Sequence, residues 1–236
     1  MGAEVPAYPP RVRSTLGEMF FRIKTRCTYH VWSRCLAKYA KITRASGFYA
    51  LDVGCGLGNL LMWLRRSYPG AEPFGADIAL DLLDYARDRV DGIHIVQTDG
   101  EQLPFLGESF DVVFALQVVE HFHYPQRFLG EARRVLRQGG LLLLSTPNPL
   151  GCAARLLGRG WHGFHYQHVS LKAPQEWRGE LHLSGFDVLD DGTTLFNGVP
   201  IVGRLPIRLP FQVLQALFGY FPWQKGESYM AVASKR

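Results

Sequence analysis

Few folds accommodate the run Leu51-Asp52-Val53-Gly54-Cys55-Gly56-Leu57-Gly58. The apolar segment from Tyr49 to Val53 reads as a buried strand, and Leu57 to Tyr68 reads as a helix stopped by Pro69-Gly70. Alternating glycines at such a junction let the backbone turn tightly and approach a ligand with no Cβ in the way. Amides at the helix start can meet a carboxylate or a phosphate. Asp52 ends the strand and can accept a hydrogen bond from an ammonium group. A ligand carrying both an ammonium and a carboxylate therefore suits this loop. A dinucleotide loop has its third glycine one position later, where this chain has Asn59. Gly58 thus favours an amino-acid-like ligand over a pyrophosphate, and disfavours a nicotinamide dehydrogenase.

Strand and helix patterns alternate along the chain. Strands are expected over Pro73 to Ile78, Ile93 to Thr98, Phe110 to Leu116 and Leu141 to Thr146. Helices are expected over Leu80 to Val90 and over Pro125 to Arg137, the second with Pro at its start and Gly139-Gly140 at its end. This order predicts a mostly parallel sheet with helices on both faces. Towards the C-terminus, Lys172 to Ser184 reads as a helix, and Phe186 to Phe196 and Glu227 to Lys235 read as strands that pair antiparallel at the sheet edge. A further helix is expected from Gly17 to Lys41. The domain reading is an N-terminal arm and helix over 1–46 that caps a main domain over 47–236, with an apolar insertion at 197–226.

With 236 residues, 47% of them hydrophobic, the chain can bury one full α/β core. The net charge of +5 is spread without a Lys/Arg block, so no stable nucleic-acid partner is expected. Cys27, Cys35, Cys55 and Cys152 form no C-x-x-C pair, which fits a reducing, cytoplasmic setting and no cysteine-held metal. No signal pattern opens the chain, and no uncharged apolar stretch is long enough to span a bilayer.

Two further acidic positions follow strand ends. Asp77 can hold two vicinal ribose hydroxyls, or cap the next helix in competition with Asp81. Asp99 can accept from an exocyclic adenine amine, with Gly100 letting the ring lie close, or serve as a turn residue.

In order and spacing, these pieces resemble the class I S-adenosylmethionine-dependent methyltransferases, in the broad small-molecule group that includes ubiquinone-biosynthesis enzymes. The resemblance runs from Tyr49 to Asn148. It takes in the glycine loop, Gly75-Ala76-Asp77-Ile78, Asp99 to Phe105, Phe110-Asp111-Val112-Val113, Glu120-His121-Phe122 and Leu136 to Pro147. It implies a Rossmann-like doubly wound sheet of seven strands, mostly parallel with the last strand antiparallel. It implies S-adenosyl-L-methionine as cofactor and S-adenosyl-L-homocysteine as product. On that basis Asp52, Gly54, Cys55, Gly56 and Gly58 surround the methionine part, Asp77 binds the ribose and Ile78 packs on adenine. Asp99, Gly100 and Glu101 face the adenine edge, and Gln117 and Val118 lie near the transferred methyl.

Methyl transfer from a sulfonium needs alignment and exclusion of water, and a base only where the acceptor must lose a proton. His121 is the candidate base. His162, His165 and His168 follow the fifth strand among aromatics, in a segment read either as a loop over the substrate or as surface. His165, Tyr166 and His168 are its candidate substrate contacts. No metal is expected: no carboxylate or Cys completes the three histidines, and Gln117 stands where ubiquinone-biosynthesis relatives carry an acidic metal ligand.

The insertion from Gly198 to Trp223 is apolar and aromatic, with Arg204 and Arg208 inside it and a short helix expected over Phe211 to Phe221. It packs on the core, closes an apolar pocket, or touches a membrane interface; the last two favour a hydrophobic acceptor. The leading expectation is O-methylation of a hydrophobic or aromatic small molecule, by a monomer or homodimer. The alternatives are an RNA methyltransferase and a non-catalytic protein that binds the cofactor. The Asn/Asp-Pro-Pro-aromatic motif of many nitrogen-methylating relatives is absent, and Thr146-Pro147-Asn148-Pro149 comes nearest.

Overall fold

The computed structural model describes residues 28–89, 91–194 and 224–236. The arm, the first part of the expected N-terminal helix, and the insertion up to residue 223, with its expected helix and membrane contact, lie outside them.

The chain forms a seven-stranded sheet: β1 (Phe48–Val53), β2 (Ala71–Asp77), β3 (His94–Gln97), β4 (Phe110–Leu116), β5 (Leu136–Pro147), β6 (Phe186–Thr193) and β7 (Ser228–Lys235). Its order is β3-β2-β1-β4-β5-β7-β6, and only β7 runs against the others, pairing antiparallel with both β5 and β6. The helices are α1 (28–39), α2 (Asn59–Ser67), α3 (Leu80–Arg87), α4 (Pro125–Val135), α5 (Cys152–Leu157) and α6 (Pro174–Leu183). Between β1 and β4 the winding reverses direction. The C-terminal ends of these two strands therefore border the crevice in which open α/β sheets bind ligands.

The period of two along each strand builds a core on each face. Leu141 to Leu144 are each at most 1% exposed. Leu142 and Leu144 join Leu51, Val53, Val113 and Ala115 beneath α4 and α6, whose Phe128, Leu129, Trp177 and Leu181 complete that side. Leu141 and Leu143 face the other way, with Val112, Phe114 and Val232, against Trp32 and Leu36 of α1 and Leu60 and Leu64 of α2. Each buried leucine contributes about 1.5–3 kcal/mol, so a four-leucine run can only be a strand covered on both sides. The described part of the expected N-terminal cap thus shares one core with the sheet.

The structure corrects one boundary. The helix expected to end at Gly139-Gly140 stops at Val135, and both glycines lie inside β5. There the pairing with β4 jumps from Phe110↔Leu136 to Val112↔Leu141, which is a bulge. Gly139 has φ 73°, and a Cβ on Gly140 would stand 2.9 Å from the Arg137 carbonyl oxygen. The glycines belong to the bulge and not to a helix cap.

Candidate active site

The glycine loop leaves β1 with Gly54, Gly56 and Gly58 at φ 76°, 48° and 71°, a region that side chains with a Cβ rarely enter. The Gly54 and Cys55 amides donate to the Ala76 carbonyl at 2.8 and 3.2 Å, which clamps the loop onto β2. A Cβ on Gly54 would meet Val118 Cγ2 at 2.5 Å, so the turn after β4 lies directly on the loop. Gly56 differs: a Cβ there would meet nothing within 4 Å. That open side is the cradle. Cys55 is buried, with burial and then Asp52 raising its thiol pKa, so it contributes backbone and packing.

Asp77 closes the loop. One carboxylate oxygen accepts the Gly56 amide at 2.8 Å, and the other accepts the Ala79 amide at 2.9 Å. Asp77 therefore ties the cradle to the start of α3, and two acceptor positions remain for diol hydroxyls. Asp52 is buried; burial first, and the Asp77 charge second, raise its pKa well above the usual carboxylate range. Tyr29 of α1 stacks near Trp63 at 4.9 Å, and its pKa is raised by burial and then by the Asp52 charge. Two acids this close call for a cationic partner. Ile78 is 69% exposed beside them, an apolar face on which a ring can lie.

The residues after β3 have more structural duties than the sequence suggests. Asp99 accepts the Glu101 amide at 2.9 Å, and Glu101 accepts the Tyr124 amide at 2.8 Å at the start of α4. A Cβ on Gly100 would meet Phe122 Cζ at 2.6 Å and Val53 Cγ1 at 2.9 Å. The space on the Cβ side of Gly100 is filled by core side chains, so packing alone already requires a glycine there.

At the end of β4, Gln117 holds φ 58°, a strained value for a residue with a side chain. Its amide donates to the Ser145 carbonyl at 2.7 Å, and its Nε2 donates to Ser145 Oγ at 3.3 Å. A 3-10 turn follows at Val119–His121. Glu120 in this turn is 1% exposed, and burial pushes its carboxyl up to about 7. Burial, and secondarily His168, lower the His121 pKa. The loop after α5 lies on this turn: the Ser170 amide donates to the Glu120 carbonyl at 3.0 Å, and the His121 and His168 rings meet edge-on at 4.7 Å. His165 and Tyr166 are exposed on the same loop with their rings 4.4 Å apart. The His162 side chain lies outside what is described.

Of the three histidines weighed from sequence as a metal set, the described residues settle the surroundings of His165 and His168 only. The fold brings Glu120, His121 and His168 together, with one ligand atom from each within 4.8 Å of the others. Sequence reasoning passed over Glu120 as a ligand. The available signal was an acid directly after the apolar Val118-Val119 pair, where a charge is costly to bury. It also missed Tyr29, which comes within the electrostatic reach of Asp52 only through the docking of α1.

Asn148, in the segment nearest to the nitrogen-methylation motif, is fully buried. Its Nδ2 donates to the Gln224 and Gly226 carbonyls at 2.9 and 2.8 Å, and its Oδ1 accepts the Leu150 amide at 3.0 Å. It clamps the lead-in to β7 and offers nothing to a nucleobase. No described helix is long and apolar enough to cross a membrane.

Residues 51–144, which hold the cradle and the β4 turn, match the model of a methyltransferase domain. A ubiquinone biosynthesis O-methyltransferase of Cereibacter sphaeroides is 33% identical over 165 residues, 65% of this chain and 66% of that relative. Methyltransferase GfsG of Streptomyces halstedii is 34% identical over 113 residues, 45% of this chain and 40% of that relative. The chain thus spans just under two thirds of the first relative's length and two fifths of the second's. A solved S-adenosylmethionine-dependent methyltransferase of Thermotoga maritima superposes with a TM-score of 0.65 at 18% identity, covering 93% of this chain and 94% of that one, which is agreement in fold. Sequence match and architecture converge on the same crevice: residues 51–144 are similar to a methyltransferase domain, and the chain shares the fold of solved S-adenosylmethionine-dependent methyltransferases.

Proposed function

We propose that this chain transfers the methyl group of S-adenosyl-L-methionine to an oxygen of a hydrophobic or aromatic small molecule and releases S-adenosyl-L-homocysteine. The observation that carries the donor is the open side of Gly56, flanked by the buried Asp52 and by Asp77. A donor with an ammonium, a carboxylate and a ribose matches that pattern of acids and backbone amides. Support for oxygen as the acceptor atom comes from the O-methyltransferase relative.

In the proposed reaction the acceptor oxygen attacks the sulfonium methyl in line, forming the C–O bond as the C–S bond breaks. The protein aligns the two and excludes water. The acceptor proton leaves towards the polar patch beyond Val118. His121 Nδ1 lies 3.1 Å from the Gln167 carbonyl, which leaves the Nε2 lone pair available, and burial keeps the ring neutral near pH 7. His165 and Tyr166, exposed on the same loop as His168, are the acceptor contacts in this reading. Peripheral membrane contact through 198–223 and the monomer or homodimer state belong to the same proposal.

Calorimetry with S-adenosyl-L-methionine, followed by a product assay on a panel of phenols and hydroxylated apolar acceptors, tests the reading. Donor binding with turnover on an oxygen acceptor is expected. Binding without turnover on any panel member would leave a cofactor-binding protein, and no binding would end the proposal.

A further inference from the structure

The geometry points to Trp161 as a positioning residue of the acceptor side: seated between α5 and the lead-in to β7, it fixes the loop that orients the His121 ring. The inference rests on the proposed reaction, because it assigns what keeps the candidate base in place.

Two groups of the loop after α5 orient that ring. His121 Nδ1 lies 3.1 Å from the Gln167 carbonyl oxygen, and the His168 ring meets the His121 ring edge-on at 4.7 Å. A carbonyl only accepts, so Nδ1 carries the ring proton and Nε2 keeps the lone pair that a base needs. His168 is held in turn, its Nδ1 donating to the Gly163 carbonyl at 2.7 Å. The placement of this loop therefore sets both the tautomer and the direction of the base.

Trp161 sets the placement of the loop. It is 2% exposed and packs with Ala153, Ala154 and Leu157 of α5 and with Leu171, so one side chain joins the two ends of the loop. Compact loops of this length are held by their own side chains in this way. A Cβ on Gly163 would stand 2.2 Å from the Trp161 ring. Only glycine lets the chain pass so close on its way to the carbonyl that holds His168. The Phe164 ring adds an edge-on contact at 5.1 Å, and the Phe164 amide donates to the Trp161 carbonyl at 3.0 Å.

The seat itself is polar. The Glu227 carboxyl is 5% exposed and faces the Trp161 indole N–H and the Ala153 amide; burial raises its pKa, and those two donors offset part of the rise. A buried carboxyl is costly without donors, and a buried indole N–H needs an acceptor, so each answers the other. The Glu227 carbonyl accepts the Asn148 amide at 2.9 Å, which anchors the seat to the end of β5. The contacts thus run from Glu227 through Trp161, Gly163 and His168 to His121. The donor cradle is built from other elements, β1, β2 and the turns after them. Loosening the seat should therefore separate turnover from donor binding.

The test uses the full chain, with hydrogen exchange read by mass spectrometry beside donor calorimetry and acceptor kinetics. Trp161→Ala and Gly163→Ala should each speed exchange of the amides from 163 to 170 at least about tenfold and lower kcat at least about tenfold, with the donor Kd unchanged. Trp161→Phe keeps a ring in the seat and should restore most of kcat. Leu156→Ser, at an exposed position of α5, should leave exchange and kcat unchanged. Should Trp161→Ala not fold, Gly163→Ala crowds the same ring with a single methyl. Unchanged exchange in the variants, faster exchange with kcat intact, loss of donor binding along with kcat, or no rescue by Trp161→Phe would overturn the assignment. Exchange needs no acceptor, so the two readings fail separately. A parent chain without turnover sinks the proposed reaction, whereas turnover with an unaltered loop in the variants sinks only the role of Trp161.

Discussion

Gly54 and Gly56 share a left-handed backbone but differ in what surrounds them. Gly54→Ala drives a Cβ into Val118 at 2.5 Å and adds backbone strain. It should cost about 2–4 kcal/mol of stability, read as a lowered Tm, with donor binding lost along with the loop. Gly56→Ala meets no atom within 4 Å. It should cost only about 1–2 kcal/mol, from strain, yet weaken S-adenosyl-L-methionine at least about tenfold by filling the cradle. Equal effects of the two on affinity and Tm would mean that the donor lies elsewhere. This loop was legible in the sequence because only glycine tolerates such backbone angles, so residue type reports geometry directly. Glu120 was not, because its meaning rests on a burial and a histidine neighbour that exist only after folding. Gly100 adds a related lesson: a glycine announces a missing Cβ, and only the fold shows that Phe122 and Val53 fill that side.

Among the elements, Phe110 to Leu116 is bounded as expected, since its apolar run begins and ends sharply. The leucine run of β5 was equally plain. Its start was hidden, because a helix-ending glycine pair and a bulge glycine pair look alike in sequence, and only the pairing with β4 separates them. α5 went unread: at six residues it is too short to show a period. Gly140→Ala places a Cβ 2.9 Å from the Arg137 carbonyl oxygen and 3.1 Å from that of Asp111. It should destabilise by about 1–3 kcal/mol and leave donor affinity unchanged, since the bulge lies at the opposite end of β5 from the crevice. A different element holds the other end. Asn148→Ala removes three hydrogen bonds, two of which fasten residues 224–226 and one Leu150, at about 2–4 kcal/mol. Thermal unfolding of both variants beside calorimetry with the donor checks each expectation.

Across the whole molecule, the crevice trades stability against affinity through Asp52. Its carboxyl is raised in the folded state by burial and by Asp77, so the fold prefers it protonated. The sign follows from linkage. In the ligand-free protein this contribution is full below the ordinary carboxylate pKa and is lost as pH rises through the raised value. Binding an ammonium reverses the preference, since the charged carboxylate gains a partner. The stabilisation that saturating S-adenosyl-L-methionine adds should therefore grow as pH rises above the ordinary carboxylate range towards the raised Asp52 value, as long as the donor's α-amino group stays protonated. At 100 times its Kd a ligand adds about 2.7 kcal/mol, or roughly 5–10 °C in a domain of this size. Asp52→Asn should raise the ligand-free Tm at pH 7, weaken the donor, and flatten the pH dependence of the donor-induced shift. A shift that keeps its pH slope in Asp52→Asn would move the ammonium to another acid, with Asp77 the nearest alternative on the same rim. That outcome would preserve the crevice while reassigning its two carboxylates, because the sheet order, and not either side chain, determines where the strand ends meet.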